Sequence, residues 1–249
     1  MKVIVHYDEI GIKGKNRGMF ENRLITNIQN VINCQYRKEF GYIILDTEDD
    51  VSKLKNIPGL DNYSIAVESS FELDDIKSKV LELLKDEEFE SFRIKTLRHN
   101  KNVPFTSPEL DRALGSEVVV KMDKKVSLKE FDKQVYVAVC NHNCYLYLDK
   151  VKGVGGLPVG TAGKVVCLLS GGLDSPVAAY QMMKRGCEVV FVHFMNYSQN
   201  QDSVLGKIEQ LVEKLKDFQG YGKLYLVPFD DIQKELILKV KADYRMVMY

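Results

Sequence analysis

At 249 residues the chain can hold one large domain or two to three small ones, and its 45% hydrophobic fraction supplies a sizeable core. Thirty-five basic residues balance thirty-five acidic ones, so net charge by itself points to no polyanionic partner. No apolar run approaches the ~20 residues needed to cross a bilayer, the polar N-terminus lacks a signal-peptide pattern, and five cysteines do not make a disulfide framework, so a soluble, reduced, cytoplasmic protein with no membrane partner is expected.

In chain order, Lys2 to Tyr7 reads as a strand, followed by a polar glycine-bearing loop and a helix with Phe20, Leu24, Ile28 and Val31 at helical spacing. The segments "CQYRKEF" and "YIILDT" predict a hairpin around Gly41. Residues 1–50 then form a small α+β unit unable to bury a core alone. A second unit, 51–150, follows the break "NIPGLDNY". It contains a strand "YSIAVESSF", a helix with Leu73, Ile76, Val80 and Leu83 on one face, and a strand "SFRIKTLRHNK". Ser107, with Pro108 and Glu109 after it, predicts a capped helix start. The unit closes with a hairpin, "KQVYVAVCNHNCYLYLD". The run Cys140 to Cys144 offers only three local metal ligands and reads more simply as an Asn-His-Asn turn between cysteines. Cys167 and Cys187 read as small core residues.

The stretch "KVKGVGGLPVGTAGK", Lys150 to Lys164, marks a boundary, with 151–163 as a linker or ligand-facing loop. From 164 the pattern becomes β-α-β-α-β-α, that of a doubly wound parallel sheet. "KVVCLLS" is a continuous apolar run, predicting a strand buried on both faces. The last helix carries Ile232, Leu236 and Val240. The ending "KADYRMVMY" has no terminal cap, and an α/β domain continuing beyond Tyr249 is expected.

Between the first strand and helix of this part stands "SGGLDS", Ser170 to Ser175. Open α/β sheets bind ligands at the carboxyl ends of their strands. Gly171 and Gly172 would admit a ligand to the backbone and reach turn conformations closed to other residues. Turn N–H groups and the helix start make an anion cradle, with Ser170 and Ser175 as hydroxyl donors. Asp174 beside a phosphate site is unfavourable without a cation or a reacting group, which argues for Mg²⁺ or for chemistry there. The loop is neither a Walker A motif, lacking its lysine, nor a dinucleotide fingerprint. "GTAGK" is a decoy, with Pro158 and Val165 where a Walker loop needs Gly and Ser or Thr. Two basic clusters, Lys13, Lys15 and Arg17, and Arg93, Lys95, Arg98, His99 and Lys101, suit either a solvated surface or RNA phosphates.

The six residues resemble the PP-loop, S-G-G-x-D-S, of ATP pyrophosphatases, which adenylate a substrate and release pyrophosphate. The lead-in "GGLPVGTAGK" is similar to that of the tRNA 4-thiouridine synthetases, the ThiI family. "EIGIKGKNRGMFENRLITNI" resembles the family's N-terminal ferredoxin-like domain, and "SFRIKTLRHNKNVPFTSPELDRALGSEV" its THUMP domain, an RNA-binding module. "YRMVMY" resembles the point where the family continues into an arginine-bearing helix. The resemblance implies a ferredoxin-like unit (1–50), a THUMP domain (51–150), a linker (151–163) and part of a doubly wound PP-loop domain of the adenine nucleotide α-hydrolase type (164–249). It implies a tRNA sulfurtransferase that adenylates O4 of uridine 8 with Mg-ATP before sulfur displaces AMP, with a thiamine-thiazole role open. Leu168, Leu169, Ser170, Gly171, Gly172, Asp174, Ser175, His193 and Phe194 would bind ATP, with Asp174 the catalytic or Mg²⁺-positioning acid. Both basic clusters would meet tRNA. A cysteine desulfurase persulfide or sulfide would supply sulfur, and a homodimer fits the family's habit. The family's sulfur-handling cysteine lies outside these residues, so the chain as given is not expected to complete the reaction. The competing readings are a non-catalytic tRNA-binding THUMP fragment and another PP-loop adenylating ligase.

Overall fold

The computed structural model describes residues 1–195 and 201–239. In order they form β1 (Lys2–His6), a 3-10 turn (Gly14–Asn16), α1 (Arg17–Gln29), β2 (Gln35–Glu39), β3 (Tyr42–Asp46), a second 3-10 turn (Ser52–Asn56) and β4 (Asn62–Ser69). Next come α2 (Leu73–Leu84), β5 (Ser91–Arg98), α3 (Ser107–Met122), β6 (Lys125–Val126), β7 (Lys133–Val139), β8 (Cys144–Tyr147) and β9 (Val151–Lys152). The remainder is β10 (Lys164–Leu168), α4 (Asp174–Lys184), β11 (Glu188–Met195), α5 (Gln201–Gln219), β12 (Lys223–Pro228) and α6 (Asp230–Lys239). Val240 and the ending "KADYRMVMY" lie outside the described residues. Among the described residues no helix is long and apolar enough to cross a membrane. The chain divides into two compact units, one of residues 1–7, 32–55 and 60–153, the other of 8–31, 56–59 and 154–249.

The first unit is built on one sheet in the order β2-β3-β1-β4-β8-β7-β5-β6, with β9 beside β4. Its ladders are antiparallel except where β5 runs parallel to β6 and β7. Successive strand residues face opposite sides, and each side has its own filling. On one, α2 and α3 bury Ile76, Val80, Leu84, Leu110, Leu114 and Val118 against strand residues such as Phe92, Val135 and Leu146. On the other, Ile4, Tyr42, Ile44, Tyr145 and Tyr147 form an aromatic-rich cluster. Cys140 belongs to the second cluster and Cys144 to the first, so the two thiols face opposite sides of the sheet, and burial pushes both up to about 12. A Cys140 N–H to Asn143 carbonyl bond of 3.0 Å closes the turn between them.

The α3 cap falls one residue earlier than expected. Thr106, not Ser107, is the N-cap: its N–H and hydroxyl donate to Glu109 Oε2 at 2.7 and 2.8 Å. Glu109 stands three residues after Thr106, the spacing a capping box requires. Pro108 then falls in the first turn, where no intrahelical N–H is needed.

In the second unit β10, β11 and β12 pair in parallel in that order. α4 and α5 bury Ala179, Met183, Ile208, Val212 and Leu215 against Val189 and Phe191. Strand order does not reverse over the described residues, so right-handed crossovers bring both helices to one face. This corrects the expectation of a strand buried on both sides. β10 alternates instead, with Val165 and Cys167 turned into the cluster and Val166 and Leu168 66% and 61% exposed.

The glycine-rich segment before β10 is docked rather than loose. Gly160, Thr161 and Ala162 N–H groups all donate to the Gly186 carbonyl at 2.8–3.0 Å, and Leu157 N–H donates to Lys184 at 2.9 Å. It thereby satisfies carbonyls at the α4 C-terminus that lack intrahelical partners. From α1, Asn27 Nδ2 donates to the Val159 carbonyl at 3.2 Å. Gly156 has φ +79°, and a β-carbon there would collide with the Lys184 carbonyl oxygen, so this position requires glycine.

Candidate nucleotide site and nucleic-acid face

Leu169 to Leu173 make the turn from β10 into α4. The two serines close it. Ser170 N–H donates to Ser175 Oγ at 2.9 Å, the two hydroxyl oxygens are 3.1 Å apart, and Gly172 N–H donates to Ser170 Oγ at 3.3 Å. Neither Gly171 nor Gly172 has positive φ, so the expected conformational need for glycine is corrected here. What they provide is room. Among the described residues beyond its chain neighbours, a β-carbon on Gly172 would meet only Ser170 Oγ, at 3.5 Å, and one on Gly171 only the Lys207 side chain.

The N-cap of α4 is Leu173, which makes no side-chain cap bond, so the first-turn N–H groups are open to an anion. Asp174 is the first helical residue and is exposed. Its carboxylate suits the positive end of the helix dipole as well as a ligand-bound cation.

His193 comes from the neighbouring strand. Its Nδ1 lies 2.8 Å from the Leu169 carbonyl, and since a carbonyl only accepts, Nδ1 carries the proton. Leu169 N–H in turn donates to the Val192 carbonyl at 2.8 Å. Phe194, 44% exposed, packs edge-on against Phe229 with centroids 5.4 Å apart. Phe229 belongs to no local motif; the signal for it is its place after β12, at the same strand end that Phe194 occupies on β11. Leu168, Leu169, Ser170, Gly171, Gly172, Asp174, Ser175, His193 and Phe194 therefore gather at the carboxyl ends of β10 and β11, where this sheet class binds ligands.

The basic residues behave less uniformly. Arg93 and Lys95 alternate on β5 and share the side of the sheet that carries Tyr136, the register partner of Lys95. Arg93 lies over the Phe131 ring at 5.8 Å. Lys150 Nζ lies 4.4 Å from the Tyr136 ring centre, and burial, with Lys95 nearby, holds its amine below the ordinary lysine range. Lys150 joins this group through β7, which its distance along the chain conceals. Arg98 is on the opposite side of β5, where its Nη1 donates to the Phe105 carbonyl at 2.7 Å, and Lys101 is exposed beyond the strand. Lys13, Lys15 and Arg17 belong to the other unit. Lys13 lies 5.2 Å from the Phe20 ring centre, Lys15 is exposed, and Arg17 Nη2 donates to the Gly11 carbonyl at 2.8 Å.

Three family models match the chain: a ThiI ferredoxin-like domain over residues 2–64, a THUMP domain over 71–149, and "Thiamine biosynthesis protein (ThiI)" over 160–249. A probable tRNA sulfurtransferase of Metamycoplasma arthritidis is 34% identical over 99% of this chain and 66% of its own length. One from Thermoanaerobacter sp. is 33% identical, over 99% of this chain and 67% of its own length. The chain belongs to the ThiI family. It spans about two thirds of the length of these curated ThiI relatives, 64% for that of Brevibacillus brevis. A crystal structure titled as a 4-thiouridine synthetase–RNA complex with bound ATP superposes with a TM-score of 0.88 at 31% identity, covering 100% of this chain and 67% of that one. A Pyrococcus horikoshii protein, PH1313, gives 0.80 at 26% identity, covering 95% of this ThiI-family chain and 83% of its own. The loop Ser170–Ser175 lies in the ThiI match, and Arg93 and Lys95 lie in the THUMP match.

Proposed function

We propose that the protein carrying this chain is an ATP-dependent tRNA sulfurtransferase that converts uridine 8 to 4-thiouridine. One observation carries the reading: an uncapped, ligand-open PP-loop stands on the same chain as a THUMP module. In this reading residues 1–50, 51–150, 151–163 and 164–249 serve as ferredoxin-like unit, THUMP domain, linker and nucleotide domain.

The residues divide the work as follows. Backbone N–H groups of the loop and of the first turn of α4 hold phosphate oxygens, while Ser170 and Ser175 hold the loop's shape. Leu168, Leu169 and Phe194 border the nucleoside, and His193 fixes the Leu169 carbonyl. Asp174 is the one carboxylate in the loop, and Mg²⁺ characteristically takes one or two carboxylates together with substrate phosphates. Bound there, Mg²⁺ would neutralise charge on the phosphates. Adenylation turns the uracil oxygen into a good leaving group, and the cradle stabilises the departing pyrophosphate. Sulfur arrives as a persulfide or sulfide. Arg93 and Lys95, with Lys150 and Tyr136 beside them, form a tRNA-facing surface, and Lys13 and Lys15 a second. The setting is the cytoplasm, a homodimer is the expected assembly, and transfer to the thiamine thiazole is a second use of the same chemistry.

The test uses the full-length protein with tRNA, Mg-ATP and a sulfur donor. A tRNA product absorbing as 4-thiouridine is expected only when ATP is present. Its absence under every donor sinks the reading.

A further inference from the structure

The PP-loop contains no lysine, yet it is the proposed seat of a polyanionic triphosphate. The fold brings one from another element. On α5, Ile208, Val212 and Leu215 are buried in one stripe, which fixes the direction of the adjacent Lys207. Its side chain reaches the loop: a β-carbon built on Gly171 would stand 3.8 Å from Lys207 Cδ and 3.9 Å from Nζ, with no other atom of the described residues, its own chain neighbours aside, within 4 Å. Lys216, further along the same helix, is paired with Glu213 at 2.6 Å. Lys207 is exposed and has no ion-pair partner among the described residues, although Asp174 stands in the same loop.

We propose that Lys207 is the phosphate-binding lysine of this loop, contacting the β- and γ-phosphates of ATP and then the pyrophosphate that leaves. The proposal rests on the ATP reading above. In adenylation the uracil oxygen bonds to the α-phosphorus, the bond from that phosphorus to the bridging oxygen breaks, and the uracil N3 proton passes to solvent. Pyrophosphate departs with the electron pair, so negative charge grows on the β-phosphate side. An ammonium already in place there stabilises that charge without reorganising. The absence of a side chain at Gly171 leaves space for the lysine and a phosphate to share the loop. A P-loop meets the same need with a lysine inside its own motif; here it comes from the helix beyond the next strand, where local spacing does not reveal it.

Calorimetric binding of ATP, pyrophosphate and AMP to the whole chain at constant Mg²⁺ tests this, with Lys207→Ala, Lys207→Arg and the control Lys214→Ala. Lys207→Ala is expected to lose roughly tenfold or more in affinity for ATP and pyrophosphate. Its AMP affinity should stay within about twofold, since AMP lacks the contacted phosphates, and Lys207→Arg should recover most of the loss. Unchanged ATP affinity in Lys207→Ala overturns the assignment, as does an equal loss for AMP, which marks a structural role. A wild-type chain that binds neither ATP nor AMP overturns the ATP reading together with this one. Normal ATP binding by both wild type and Lys207→Ala overturns this one alone.

Discussion

His193 Nδ1 donates to the Leu169 carbonyl at 2.8 Å, locking the start of the PP-loop to the end of the adjacent strand. The bond is a cross-strand brace as well as a feature of the candidate site. His193→Ala leaves that carbonyl without its donor, a loss of about 1 kcal/mol of stability, and loosens the backbone of the proposed ATP site. Urea unfolding and ATP titration should both register the change. Undiminished stability and affinity would show that the brace is dispensable.

Two glycines of the segment before β10 separate strain from collision. Gly156 and Gly163 both have positive φ, +79° and +82°, but only at Gly156 would a β-carbon strike the Lys184 carbonyl. Gly163→Ala is expected to lose about 1 kcal/mol from backbone strain alone, and Gly156→Ala at least ~2 kcal/mol more. Thermal melts of the two variants check the ranking, and equal losses would mean that the segment can shift away from α4.

Stability should fall on mild acidification because of His6. Burial, with Lys150 and His99 adding to it, lowers its pKa from 6.5 to about 4, and its Nε2 has no hydrogen-bond partner among the described residues. Between those values the unfolded chain binds a proton that the folded one refuses. This contribution is therefore complete above about pH 6.5 and is lost as pH falls toward 4. The expected loss is on the order of 1–3 kcal/mol. In denaturant titrations at pH 7.5 and 4.5, His6→Gln should lose less than wild type, and an identical loss would exclude His6 as the source.

Charge reversal on the Tyr136 side of β5 tests the proposed RNA face. Arg93→Glu with Lys95→Glu should weaken tRNA binding and reduce the salt slope by about one for each phosphate contact removed. Arg98→Glu loses a loop-holding bond instead, and should act on stability before affinity. Filter-binding isotherms across a salt series separate the two, and an unaltered slope in the double variant would return these residues to a solvated surface.

Asp174→Asn keeps the shape of the loop but removes its carboxylate. The proposed adenylation by the protein carrying this chain should fall by orders of magnitude while tRNA affinity stays unchanged. A parallel fall in tRNA affinity would show that the carboxylate supports structure.

The sequence by itself determined the element order and the glycine-serine turn between β10 and α4, because these rest on local patterns: apolar period, turn residues and contiguous motifs. "SGGLDS" could be read as a ligand loop because all of its parts lie within six residues. Thr106 is legible as the cap from its spacing to Glu109, a local signal that the neighbouring serine competes with. Other features depended on which surfaces meet. Tertiary structure showed that β10 is covered on one face, that Gly171 and Gly172 supply space rather than unusual dihedrals, and that Arg98 faces away from Lys95 into a loop. It also brought Lys150 to Tyr136 and Lys207 to the loop. These are contacts between elements distant along the chain, set by sheet register and helix packing, and no local spacing encodes them.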